Sequence, residues 1–87
     1  MKFLKSPLKN KKYRVISPQG KIIDFGDIRY EHYKDQTGLN LYFNLNHNDD
    51  KRRRLYRLRA SKIKNKNGEL TYKNPEYANY YSYNFLW

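Results

Sequence analysis

Cysteine is absent from this chain of 87 residues, which excludes a disulfide framework and a thiolate metal cage, the usual staples of so small a domain. Long apolar runs are absent as well. Met1-Lys2-Phe3-Leu4-Lys5 has no apolar h-region, so neither a signal peptide nor a membrane span is expected. Core material is scarce: Leu, Ile, Val and Phe number 19, about 22% of the chain, just above the ~20% level at which disorder becomes the default. Acidic residues are few, eight against 19 Lys and Arg, for a formal charge of +11. What the chain does have is aromatic residues, ten Tyr, four Phe and one Trp. Each large ring buries roughly 150–250 Å² while keeping a polar handle, so one small, soluble domain with a thin, Tyr-rich core is expected, made for a reducing compartment.

The charge is segmented. Residues 1–23 hold seven cations and no acid, residues 24–50 six acids and two cations, residues 51–73 ten cations and one acid, and residues 74–87 only Glu76. Two basic segments flank an acidic one, so folding either brings them together into one surface or leaves two separate anion sites.

Residues 1–11 alternate cations with Phe3, Leu4, Pro7 and Leu8 without a clear period and read as a basic N-terminal arm. A domain over residues 12–87 follows. Tyr13-Arg14-Val15-Ile16 and Lys21-Ile22-Ile23-Asp24-Phe25 flank Ser17-Pro18-Gln19-Gly20, a hairpin signal in which Pro18 presets a type I turn and Gly20 takes the left-handed position. Asp27 is a candidate cap for a short helix carrying Ile28, Tyr30, Glu31 and Tyr33, stopped at Thr37-Gly38. Leu39, Leu41, Phe43 and Leu45 alternate with polar residues and Tyr42, a period of two that reads as strand or extended chain. Asn48, Asp49 and Asp50 are cap candidates for the clearest helix, from about Asp50 to Lys64. Asn67-Gly68 is a turn, and Asn74-Pro75 a second helix start before the aromatic segment Tyr77 to Trp87. The fold class is therefore α+β: a small single domain with an N-terminal β-hairpin, a central basic amphipathic helix and an aromatic C-terminal segment.

On a wheel of about 100° per residue, Leu55, Tyr56, Leu58, Ala60 and Ile63 share one broad arc, expected to face the core, with Arg53, Arg54, Arg57 and Lys64 opposite. No acid lies between Asp50 and Glu69, so the Glu-to-Lys spacings that usually support a solvated helix face are missing. Lys51-Arg52-Arg53-Arg54 crowd the first turn, where the helix dipole disfavours each cation by roughly 0.3–1 kcal/mol. Cations beside the free amides of a helix start suit an anion, phosphate above all. Arg52 and Arg59 fall inside the apolar arc, seven residues apart. They either pair with acids such as Asp24, Asp27 or Asp35 or project along the edge of the core toward a ligand.

His32 and His47 are the only imidazoles, and His47-Asn48-Asp49 offers a turn and a cap more readily than a metal template. A small metal-dependent nuclease using Asp49, His47 and the arginines is the enzymatic alternative, whereas the non-enzymatic readings call for no cofactor or metal. The serines lie in no nucleophile elbow, and Pro18-Gln19-Gly20-Lys21 lacks the spacing of a phosphate-cradling loop. The rings of Tyr77, Tyr80, Tyr81, Tyr83, Phe85 and Trp87 either stack on unpaired bases or form the core, and the shortage of aliphatics favours the core.

The succession Lys12-Tyr13-Arg14-Val15, Ser17-Pro18-Gln19-Gly20-Lys21, Phe25-Gly26-Asp27, Tyr33-Lys34-Asp35, His47-Asn48-Asp49, Lys51-Arg52-Arg53, Tyr56-Arg57, Arg59 and Tyr81-Ser82-Tyr83-Asn84-Phe85-Leu86-Trp87 resembles a family of short, basic, uncharacterised proteins of giant, nucleocytoplasmic large DNA viruses. It covers residues 12–87. The family's basic helix usually reads Arg-His where this chain has Arg59-Ala60. The resemblance implies a viral origin and a virion or genome-associated role, in the virion and in the host cytoplasm or viral factory during infection.

Together these readings point to a non-enzymatic protein that binds nucleic-acid phosphates, DNA foremost, without reading sequence. The candidate residues are Arg52, Arg53, Arg54, Arg57, Arg59, Lys62, Lys64, Lys9, Lys11 and Lys12. The alternative is a minor capsid or virion assembly protein that clamps acidic neighbouring subunits.

Overall fold

A computed structural model describes residues 1–87. Three strands, β1 (Lys2–Lys5), β2 (Lys11–Ile16) and β3 (Ile22–Asp27), form an antiparallel sheet in sequence order. Two helices follow, α1 (Asp50–Ala60) and α2 (Ala78–Phe85), with single 3-10 turns at Phe43–Leu45 and Thr71–Lys73. This is the expected α+β domain. No helix is long and apolar enough to cross a membrane.

The β2–β3 hairpin forms as its turn chemistry dictates. Arg14 pairs with Asp24 and Val15 with Ile23, the Gly20 amide bonds the Ser17 carbonyl at 2.8 Å, and Gly20 adopts φ +82°. Tyr13, Val15, Ile23 and Phe25 are buried on one face and pack with Tyr81 and Leu86 of the C-terminal segment. Of the aromatic segment, Tyr81 is thus core and Tyr80, Phe85 and Trp87 pack against it, as the shortage of aliphatics requires, while Tyr77 is exposed.

The residues expected to be a basic arm instead open the sheet. Lys2–Lys5 pairs along β2 from Ile16 to Tyr13, and Phe3 meets Phe25 and Phe85 edge-on, at 6.0 and 4.7 Å between ring centroids. Two inward aromatic contacts outweigh the absence of a clear period in so short a strand. The domain therefore begins with β1 and not at residue 12.

Three further elements differ from expectation. Asp27 caps no helix: its carboxylate is taken by the Arg29 backbone amide and guanidinium, and residues 28–37 wind as turns that send His32 and Asp35 inward. Residues 39–45 are not a strand, because Tyr42 packs on Tyr13, Phe43–Leu45 wind as a 3-10 turn, and Asn40 takes positive φ, the left-handed conformation that asparagine tolerates. The helix expected to reach Lys64 ends at Ala60, since Lys64 pairs with Leu70 across the Asn67-Gly68 turn.

Gly26 adopts φ +76°, and a Cβ there would lie 3.0 Å from both Leu86 and Lys12 side-chain carbons. Gly20 shares the positive φ but faces open space. Gly26→Ala is expected to cost about 2–4 kcal/mol of unfolding free energy in urea titrations, backbone strain plus overpacking. Gly20→Ala is expected to cost only the strain, about 1–2 kcal/mol. Equal losses would contradict the close packing at Gly26.

Candidate nucleic-acid interface

Asp49 sets the start of α1, its side chain accepting the amides of Lys51 and Arg52 at 3.0 and 3.2 Å. From there the helix is rotated from expectation: Tyr56 and Ala60 face the body and Arg54 faces outward as expected, but Arg53 and Arg57 take the inner places expected for Leu55 and Leu58. Arg53, Tyr56, Arg57 and Ala60, spaced i, i+3, i+4 and i+7, face the body, whereas Leu55, Leu58 and Ile63 are 53%, 54% and 47% exposed. The reason lies in what α1 meets. The surface under it is the C-terminal end of α2, rich in carbonyls and ring faces, and guanidinium groups satisfy both. Arg53 Nε donates to the Trp87 carbonyl at 2.8 Å and Arg57 Nε to the same oxygen at 3.2 Å. Their guanidinium groups lie 4.7 and 4.4 Å from the ring centroids of Tyr33 and Tyr83.

The expected anion-binding residues consequently separate into four groups. Arg53 and Arg57 are half-buried and committed to the fold. Lys12 is 2% exposed and is no surface cation. Arg54, Arg59, Lys62, Lys64, Lys9 and Lys11 are exposed and belong to none of the four ion pairs, as do Lys51 and Lys66, which the sequence pattern did not single out. Arg52 is exposed and pairs with Glu31 at 2.9 Å, not with the aspartates weighed for it, while Arg59 lies over the Tyr56 ring at 5.5 Å with no carboxylate partner.

The two basic segments meet at a cavity of about 470 Å³. Lys12 of the first segment and Arg52 and Arg59 of the second line it, together with Gly26, Asp27, Tyr30, Glu31, Tyr56, Ser82, Leu86 and Trp87. Tyr56 and Trp87 stack in parallel, 4.1 Å apart and 9° from coplanar. Only the Lys12 and Arg52/Arg59 contributions were foreshadowed by charge; Tyr56 and Trp87 read as core.

Lys12 belongs to a buried polar chain. Its ammonium donates to the Tyr30 carbonyl at 2.9 Å and to His32 Nδ1 at 2.7 Å. Asn46 Oδ1 accepts the Asp35 amide and lies 2.6 Å from His32 Nε2, so the imidazole is neutral with its proton on Nε2. Asp35 in turn accepts the Tyr13 hydroxyl and both the amide and hydroxyl of Thr37. Burial lowers Lys12 to about 8. Burial, reinforced by the Lys12 charge, lowers His32 to about 4. Burial and the hydrogen bond to Asp35 push Tyr13 up to about 12. No group of three or more His, Asp or Glu converges as a metal site. His47, the imidazole weighed for a nuclease, accepts the Asp49 amide and packs on Trp87, with a buried Nε2 that has no partner.

These shifts fix a pH dependence. The unfolded chain takes up the His32 proton near 6.5 and the folded chain only near 4, so stability falls as pH drops through that window, by up to about 3 kcal/mol. Between about pH 8 and 10 the unfolded chain holds the Lys12 proton more tightly, and stability rises with pH. Above 10 the raised Tyr13 acts in the opposite sense. Urea midpoints from pH 7 to 4 should therefore decline in the wild type and much less in His32→Gln, the remainder coming from His47 and the carboxylates; parallel declines would refute the assignment.

A family model described as a family of unknown function (DUF5754) matches residues 1–37, which span the whole sheet and include Lys12, Tyr13, Gly26, His32 and Asp35. No curated protein and no solved structure matches the chain.

Proposed function

We propose that this protein is a non-enzymatic module that binds nucleic-acid phosphates through an exposed cationic surface without reading base sequence. The observation that carries this reading is the charge left over after folding: of 19 Lys and Arg, four are in ion pairs. Every acid already has a role: beyond those four pairs, Asp35 is buried, Asp49 caps α1, Asp50 accepts the Tyr33 hydroxyl and Glu69 accepts Asn65. Lys51, Arg54 and Arg59 on α1, with Lys62, Lys64 and Lys66 in the turn beyond it, have no internal partner to satisfy them, and a polyanion is the partner that would. The viral setting that the sequence resemblance implies, a virion or viral factory, would supply such a polyanion as packaged DNA.

A second reading rests on a separate observation. Leu55, Leu58 and Ile63 are exposed along the same basic stretch, and a phosphate backbone makes no use of them. They favour assembly against an acidic protein surface, such as a capsid subunit.

If about five phosphates are neutralised, log K for duplex DNA should fall with log salt at a slope near −4 to −5, at ~0.9 per phosphate. The variant Arg54→Ala/Lys62→Ala/Lys64→Ala should make that slope shallower by between two and three. Absence of binding in 50 mM salt, or a slope indistinguishable from zero, would overturn the phosphate reading and leave the assembly reading in its place.

A further inference from the structure

The cavity asks for more than phosphate. Its volume, about 470 Å³, lies within the roughly 300–1,000 Å³ of small-ligand sites. The buried Lys12 and Leu86 form its floor, and the exposed Arg52 and Arg59 stand at its mouth. Both carboxylates that line it are already engaged, Asp27 by Arg29 and Glu31 by Arg52, which leaves Arg59 as the guanidinium without an acid. Beside Arg59 stands the stacked pair Tyr56–Trp87. An inorganic anion would use Arg59 and waste the aromatic wall; a neutral ring would use the wall and waste Arg59. A ligand carrying both a planar ring and a phosphate uses both.

We propose that this cavity admits one unpaired nucleotide of a single-stranded nucleic acid, its base against Leu86 and the edges of the Tyr56 and Trp87 rings, whose faces are taken up by each other, by Arg59 and by His47, and its phosphate on Arg59. The inference rests on the phosphate-binding reading, because Arg54, Lys62 and Lys64 would hold the flanking backbone. Bases stacked inside a duplex offer no ring to the cavity, whereas single strands can splay a base onto aromatic or guanidinium surfaces. Lys12, lowered to about 8 by burial, is still largely protonated at neutral pH, and so adds positive potential at the floor.

Trp87 is the single tryptophan and lines the cavity, so its fluorescence reports occupancy directly. The full chain is titrated with a ten-nucleotide thymidine single strand, a duplex of equal length, thymidine monophosphate and inorganic phosphate. The expected result is a saturable change in Trp87 emission with the single strand and the mononucleotide but not with phosphate, and single-strand binding at least tenfold tighter than duplex binding. Arg59→Ala, an exposed position, should lose tenfold or more for the single strand, and for the duplex no more than Arg54→Ala loses there, the loss of one phosphate contact. Ser82→Leu, which narrows the cavity without changing charge, should weaken the emission change while duplex binding persists. If single strand and duplex bind equally and Trp87 is unmoved, the cavity proposal fails and the surface reading stands. An equal emission response to inorganic phosphate also overturns it, by reducing the site to an anion pocket. Binding of neither polymer removes the premise and overturns both.

Discussion

The loop after β3 and helix α1 are both tied to the backbone oxygens at and just beyond the end of α2. A helix leaves its last carbonyls without internal partners, and leaving them buried and unpaired is costly. Here the Phe85 carbonyl takes the Gln36 amide, and the Leu86 carbonyl takes the amides of Tyr33 and Lys34. The Trp87 carbonyl takes Arg53 and Arg57 of α1. One helix end thus orders the loop after β3 on one side and α1 on the other. The ordered loop in turn delivers His32 and Asp35 into the interior, where they meet Lys12 and Tyr13 of the sheet. In a chain so short of aliphatic residues, these polar connections take over part of the organising role that a larger apolar core would have.

The orientation of α1 follows from the same constraint and determines what the protein can bind. Guanidinium groups suit a surface of carbonyls and ring faces better than leucines do, so Arg53 and Arg57 turn inward and Leu55 and Leu58 remain outside. Two of the cations that sequence spacing assigned to an anion site are thereby spent on the fold. The same rotation places Arg52 and Arg59 beside the cavity that Lys12 enters from the sheet, which is how basic segments separated by an acidic one come to share a site. The outer face of α1 is left both cationic and apolar, and this mixed character is why a phosphate partner and an acidic protein partner are distinguished by salt dependence and not by charge.

The features legible in the sequence were those set by local chemistry. Pro18 and Gly20 specified the hairpin turn, Asp49 the start of α1, Asn67-Gly68 the second turn, and the Tyr-rich end its place in the core. The α1 stripe was legible in spacing, since Arg53, Tyr56, Arg57 and Ala60 repeat as an inner face does, but not in residue type: arginine reads as surface until its partner is known to be a carbonyl or a ring. Strand β1 was hidden because its register depends on Phe3 meeting Phe25 and Phe85, contacts remote in sequence. The Lys12–His32 pair was hidden for the same reason, and because nothing local marks a lysine as buried; the one clue was Gly26, placed where the Lys12 stem needs room. The alternation over residues 39–45 misled because Asn40 at positive φ and the 3-10 turn at Phe43–Leu45 break a strand that period alone would allow.

Which side of α1 faces the body is the point from which the cavity, the free cations and the exposed leucines all follow. Solvent exchange of the arginine Nε–H groups, measured by NMR on the intact chain, tests it directly. Arg53 and Arg57 should give protected resonances, shifted by the rings of Tyr33 and Tyr83, while Arg54 exchanges freely with water and the methyl groups of Leu55 and Leu58 show no contact with α2. Rapid exchange at Arg53 and Arg57, with Leu55 and Leu58 packed against Tyr83 in their place, would contradict the account.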